Sequence, residues 1–212
     1  AMSDMFEYEP GVVYENLILM LTKYRGATLS SNALSPADLQ LRMNRHGYAH
    51  VVATRAASED DPRGAATIHV LLVAPGHDYS NKAPKFKMML AAIAPSTSNE
   101  IIVVTSNGIT SHIKKVIEEY NAKNTGIIYD YDYHLFIIEV PKHNSCEHHE
   151  LVSHAAADKL TNYSYSSRED YPKIKSTEAH GVWLGLRPGM FVRITRASKS
   201  AGVTILYRVC VK

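Results

Sequence analysis

The stretch from Lys142 to His154 (Lys-His-Asn-Ser-Cys-Glu-His-His-Glu-Leu-Val-Ser-His) is dense in side chains that ligate metals. It comes close to the zinc-protease pattern His-Glu-x-x-His. That pattern needs both imidazoles on one helix face, which an i, i+4 spacing gives. Here the pair is His149 and His154, at i, i+5. On a helix the two rings would point roughly 140° apart, so the protease reading fails on spacing. A structural zinc site using His143, Cys146 and two further histidines stays open, although structural sites lean on thiolates and this stretch has one. The alternative is a polar junction rich in histidine.

Other chemistries find less support. A metal-dependent nuclease sets an acid-x-Lys pair on a core strand beside an upstream Asp. The nearest approach is Glu139-Val140-Pro141-Lys142, with Asp130 or Asp132 upstream. Glu139 and Lys142 are three apart and would face opposite sides of a strand, and Pro141 interrupts it. Gly185 and Gly189 lack the Gly-Lys-Ser/Thr of a phosphate loop, and no nucleophile-elbow pattern is present. Basic positions are more useful. Asn107-Gly108-Ile109-Thr110-Ser111 reads as a turn opening a helix. Its free amides make an anion site, with Lys114 and Lys115 in the first turns. Arg193, Arg196, Lys199 and Arg208 cluster near the C-terminal end. Either set also reads as an ordinary solvated surface.

These residues need elements to hold them. Val13, Leu17, Met20 and Leu21 at helical spacing predict a helix over Val12–Tyr24, ending near Gly26. Ser35-Pro36 predicts a capped helix start running to about Gly47. His50–Ala56 reads as a strand and Ser58–Gly64 as a charged loop. Thr67–Ala74 reads as a strand buried on both faces. A turn (Pro75–Tyr79), a helix (Lys85–Ala94), a buried strand (Glu100–Thr105) and an amphipathic helix (Ser111–Tyr120) follow. Ile127–Tyr133 and His134–Val140 both look strand-like. At the end, Pro188-Gly189 marks a turn, Val192–Thr195 alternates, and Val203–Val211 is β-branched, which predicts an antiparallel hairpin. The alternation of strands and helices predicts an α/β (α+β) fold.

The C-terminal segments also carry a family resemblance. Tyr171-Pro172-Lys173-Ile174, the run Gly185-Leu186-Arg187-Pro188-Gly189-Met190-Phe191-Val192-Arg193-Ile194-Thr195-Arg196, the loop Ser198–Gly202 and Tyr207-Arg208 resemble the C-terminal assembly domain of RNA polymerase subunit five. That subunit is shared by the eukaryotic nuclear polymerases and has an archaeal counterpart. More loosely, Ile101–Ser111 resembles the strand and Thr-bearing turn of the family's first domain, and Leu135–Ile138 with His149-Glu150-Leu151-Val152 resembles the domain junction. This chain lacks the proline that follows that Val in the family, and it has Val203 where the family tends to a polar residue. Such divergence would suit a polymerase encoded by a large nucleocytoplasmic DNA virus.

The resemblance implies a jaw-like mixed-sheet domain over 1–142 and a small α/β assembly domain over 143–212. It implies a non-catalytic subunit, with no cofactor or metal of its own, anchored to the largest polymerase subunit. Pro172, Ile174, Trp183, Arg187, Arg193, Arg196, Tyr207 and Arg208 would form the docking surface. Thr110, Ser111, Lys114 and Lys115 would approach the backbone of downstream duplex DNA. The work would lie at the site of transcription: host cytoplasm and virion for a viral chain, nucleus for a cellular one. The rivals are a divergent metal-dependent nuclease and a free-standing DNA-binding module.

Composition is compatible with this. The 212 residues are 45% hydrophobic and 21% charged, as in globular proteins. A formal net charge of +2 predicts weak DNA binding by the isolated chain. Two cysteines cannot form a disulfide framework and suggest a reducing compartment. No apolar run approaches the roughly 20 residues of a membrane helix. The start lacks a basic signal-peptide region, and Ala1 before Met2 reads as a tag-cleavage remnant.

Overall fold

The computed structural model describes residues 10–77, 79, 82–93, 99–123, 126–143, 146–198 and 200–212. The expected tag remnant, Ala94, Asn144, Ser145 and Lys199 lie outside the described residues. The chain divides into two compact units: Ala1–Arg55 with Ala66–Ile137, and Ala56–Ala65 with Ile138–Lys212. The fold is α+β, with a mixed sheet in each unit.

The first unit opens with α1 (Pro10–Leu19), which buries Val13, Tyr14 and Leu17. It runs on into a π-helical turn, Met20–Tyr24, closed by Arg25 N–H donating to Met20 O. After the short β1 (Thr28–Leu29), α2 spans Pro36–His46. Ser35 Oγ accepts from Asp38 N–H at 3.2 Å. Gly47 ends the helix at φ 77°, a left-handed conformation that glycine adopts without strain. Both termini fall where Ser35-Pro36 and Gly47 predict them.

The sheet runs β1-β2-β3-β4-β5, with β2 at Tyr48–Arg55, β3 at Ala66–Val73, β4 at Asn99–Thr105 and β5 at Ile127–Asp132. β1–β2 and β2–β3 are antiparallel, while β3–β4 and β4–β5 are parallel. The parallel pairs need crossovers, and α3 (Ala83–Ile93) and α4 (Ser111–Lys123) supply them. Leu71, Val73, Ile101, Val103 and Ile128 pack with Phe86, Met89, Leu90, Ile113 and Ile117, so both crossovers cover one face. The alternate residues Ile68, Val70, Leu72, Ile102 and Val104 are buried too, which explains why β3 reads as an unbroken apolar run.

The second face holds a buried ion cluster. Glu100 accepts from Arg55 Nη2 at 2.5 Å and lies 3.8 Å from Arg25 Nη1. All three residues are at most 5% exposed. Beside them, burial pushes the Tyr131 hydroxyl up to about 12, with the Arg25 charge opposing the rise.

One expected element is absent. His134–Val140 is not a strand. Tyr133–Phe136 forms a 3-10 turn, because the Asp132 carboxylate accepts from His134 N–H at 3.0 Å and breaks the extended run. Tyr133 and Phe136 are then fully buried, with Tyr133 Oη donating to Val73 O. A second 3-10 turn, Val140–Lys142, starts around Pro141.

The second unit carries the sheet β6-β8-β9-β7, with β6 at His148–Leu151, β7 at Lys173–Lys175, β8 at Phe191–Ser198 and β9 at Gly202–Val211. The expected C-terminal hairpin is β8–β9, registered from Phe191↔Val209 to Ser198↔Gly202. α5 (His154–Ser164) starts on Ser153, whose Oγ accepts from Ala156 N–H. α6 (Ala179–Leu184) buries Gly181, Val182, Trp183 and Leu184. A Cβ on Gly181 would lie 2.6 Å from Lys175 O, so only glycine fits there. The loop between β2 and β3 belongs to this unit. Its Arg63 is buried, donates to Leu184 O at 2.8 Å and pairs with Asp61 at 2.7 Å.

Candidate nucleic-acid and subunit interfaces

In the first unit, β4 ends at the buried Thr105, and Gly108 turns the chain at φ 68° into α4. Thr110 O accepts from both Ile113 N–H and Lys114 N–H at 3.0 Å, which fixes the first turn. Ile113 and Ile117 anchor the helix to the core. Ser111, Lys114 and Lys115 are exposed. Their i, i+3 and i+4 spacing places them on one face at the amino end, where the helix dipole favours anions. Thr110, the residue before the helix, is half-buried. Chemically this is a small cationic surface with outward amides, opposed one turn later by Glu118 and Glu119.

In the second unit, Pro188-Gly189 makes the expected turn, with Gly189 at φ 88°. The β8–β9 ladder then sorts side chains by parity. Phe191, Tyr207 and Val209 pack toward Ala157 and Leu160 of α5. Arg193 stands opposite Tyr207, with Nη1 3.8 Å from Glu150. Arg196 is exposed and lies 3.4 Å from Glu147. These exposed pairs contribute little stability, so the arginines are available for other anions. Pro172 is exposed, while Arg187, Tyr207 and Arg208 are half-buried. Trp183 and Ile174 need correction as contact residues: they are 0% and 2% exposed. Both belong to the unit's own core, because the large apolar areas that make good interface anchors serve cores equally well.

The histidine-rich junction does not gather around one point. His149 lies on β6 and His154 opens α5, so no helix carries both. His143 and His148 are exposed, and Cys146 is half-buried. Among the described residues, no group of three or more His, Cys, Asp or Glu converges to hold an ion. His149 instead stacks on His180, with ring centroids 4.0 Å apart. Its Nδ1 lies 2.7 Å from Glu147 O, and that carbonyl can only accept, so Nδ1 carries the proton. Burial lowers the pKa of His149. Burial, then the neighbouring ring, lowers His180 to about 4. His180 was not legible from sequence, since only the fold brings it beside the junction. The nuclease arrangement is also missing among the described residues. Glu139 precedes a 3-10 turn rather than lying on a strand, and Asp132 is engaged by His134 at 2.8 Å.

Comparison with known proteins bears on the same segments. Residues 138–210 match the family model "RNA polymerase Rpb5, C-terminal domain". Over 116 residues, 53% of this chain, it is 33% identical to the DNA-directed RNA polymerase RPB5 homolog of African swine fever virus (isolate Tick/South Africa/Pretoriuskop Pr4/1996), covering 57% of that protein. Over 115 residues it is 25% identical to the Dictyostelium discoideum subunit rpabc1 of DNA-directed RNA polymerases I, II and III, covering 54% of this chain and 58% of that one. The match thus spans just over half the length of these relatives. The DNA-directed RNA polymerase subunit Rpo5 of Archaeoglobus fulgidus is 36% identical over 63 residues, which is 30% of this chain and 83% of the archaeal protein. With that archaeal subunit matched over most of its length, and the family-model match at 138–210 falling in the β6–β9 unit, the chain belongs to the RNA polymerase subunit five (Rpb5) family.

Proposed function

We propose that this chain is a non-catalytic subunit of a virus-encoded DNA-directed RNA polymerase. The unit built on β6–β9 is the assembly domain and docks on the largest subunit. The unit built on β1–β5 is the jaw, ending at Ile137 rather than near residue 142. The observation that carries this reading is the coincidence of the family match, 138–210, with the second compact unit. Docking uses Pro172, Arg187, Arg193, Arg196, Tyr207 and Arg208, which are exposed or half-buried. Trp183 and Ile174 hold that surface from beneath.

Ser111, Lys114 and Lys115, following Thr110, meet the backbone of incoming duplex DNA. Two lysines and a helix amino end give electrostatic contact without sequence readout. The viral relatives support transcription in infected cells as the setting. The test is purification of the tagged chain from its native source, with mass spectrometry of what co-elutes. Stoichiometric recovery of the large polymerase subunits, lost on truncation after Ser167, is the expected result. Recovery of the chain alone would overturn the reading.

A further inference from the structure

The longest strand of the second unit is left half open. β9 runs Gly202–Val211, yet β7 pairs with it only at Val209, Cys210 and Val211. Among the described residues no strand covers β9 from Gly202 to Arg208 on that side. Val209 N–H donates to Pro172 O, so the backbone groups of Val209 face away from β8. Backbone direction alternates along a strand, so the amides and carbonyls of Ile205 and Tyr207 face the same open side. Val203 and Ile205 on one face of the strand and Leu206 on the other are 60%, 45% and 37% exposed.

Proteins protect such edges with Lys, Pro, bulges or short strands. Gly202–Tyr207 has no charged residue and no proline. The strands nearest the edge are basic: β7, β8 and β9 carry Lys173, Lys175, Arg193, Arg196 and Arg208 and no carboxylate, while Glu150 and Glu147 lie against Arg193 and Arg196 from outside these three strands.

We propose that an extended, acidic, apolar-alternating segment of the largest polymerase subunit adds as a strand along the open edge of β9. This inference rests on the assembly reading above and specifies its contact. Main-chain bonds to Ile205 and Tyr207 hold the segment, Val203, Ile205 and Leu206 pack against its side chains, and the basic strands select its charge.

The test binds the 212-residue chain to the recombinant largest subunit. Ile205→Pro removes an edge N–H without removing a bond to β8. Ile205→Lys charges the edge through an exposed side chain and covers the case in which the proline variant fails to fold. Trp183 fluorescence checks folding of each. Expected are at least tenfold weaker capture by I205K, near-normal capture by I205V, and hydrogen-exchange protection on assembly at Ile205 and Tyr207. Equal capture by wild type and I205K would overturn strand addition and leave the assembly reading standing. No capture by wild type would overturn both. A wild-type dimer abolished by I205K, with capture unchanged, would assign the edge to a second copy of the chain and overturn the proposal.

Discussion

Replacing Glu100 by glutamine should be among the most damaging single changes in the first unit. Glu100 is 5% exposed and sits between Arg25, 1% exposed, and Arg55, 4% exposed. The substitution keeps the shape and removes the carboxylate that the two guanidiniums share at 3.8 and 2.5 Å. Two buried like charges then face each other in a region with little water to screen them. Breaking a buried ion pair by removing one partner costs about 3–5 kcal/mol. That is a large share of the roughly 5–15 kcal/mol that holds a domain together. At about 2–4 °C per kcal/mol for a chain of this size, the melting midpoint should fall by at least ~6 °C.

The assay is urea unfolding followed by far-UV circular dichroism. The single tryptophan, Trp183, lies in the second unit and gives a parallel fluorescence reference. A circular-dichroism midpoint within about 1 kcal/mol of wild type would refute the cluster's role. A companion triple variant, R25M/E100L/R55M, should recover most of the loss, since well-packed apolar replacements of buried ion clusters are often neutral. Failure of that rescue, with E100Q strongly destabilised, would point to hydrogen bonding rather than charge.

Three further outcomes are expected. In the second unit, His180 has its pKa lowered to about 4 from the ordinary 6.5, so its neutral form favours the folded state. That contribution is complete above about pH 6.5 and is lost as pH falls toward 4, so the Trp183 unfolding midpoint should drop over that window and drop less in H180F; identical pH profiles would contradict the stacked-pair account. Gly181→Ala, whose Cβ would meet Lys175 O at 2.6 Å, should destabilise the same unit by about 1–3 kcal/mol in denaturant titration, and a neutral effect would show that the backbone gives way. In the assembled polymerase, K114A/K115A should lower the salt dependence of DNA binding by about two phosphate contacts without changing sequence preference, and an unchanged salt slope would remove α4 from the DNA surface.

Much of this protein was decided by local chemistry that a sequence displays. Ser35-Pro36 and Gly47 bound α2 because capping and left-handed backbone are properties of a few residues. The apolar run of β3 announced a strand covered on both faces, and Pro188-Gly189 with two β-branched segments announced the β8–β9 hairpin. The ordered spacing from Tyr171 to Arg208 also carried the family, because a combination of positions is far more specific than any one of them.

Tertiary structure decided what depends on residues distant in the chain. Trp183 and Ile174 look like interface anchors in sequence and prove to be core, since an apolar side chain does not encode which surface will cover it. Asp132 turned an expected strand into a 3-10 turn through a side-chain cap that competes with extended backbone. Arg25, Arg55 and Glu100 meet only because the fold brings β2, β4 and the end of the π-helical turn together. His149 found His180 across the fold, and β9 kept an open edge, because strand pairing is a property of neighbours that no local pattern specifies.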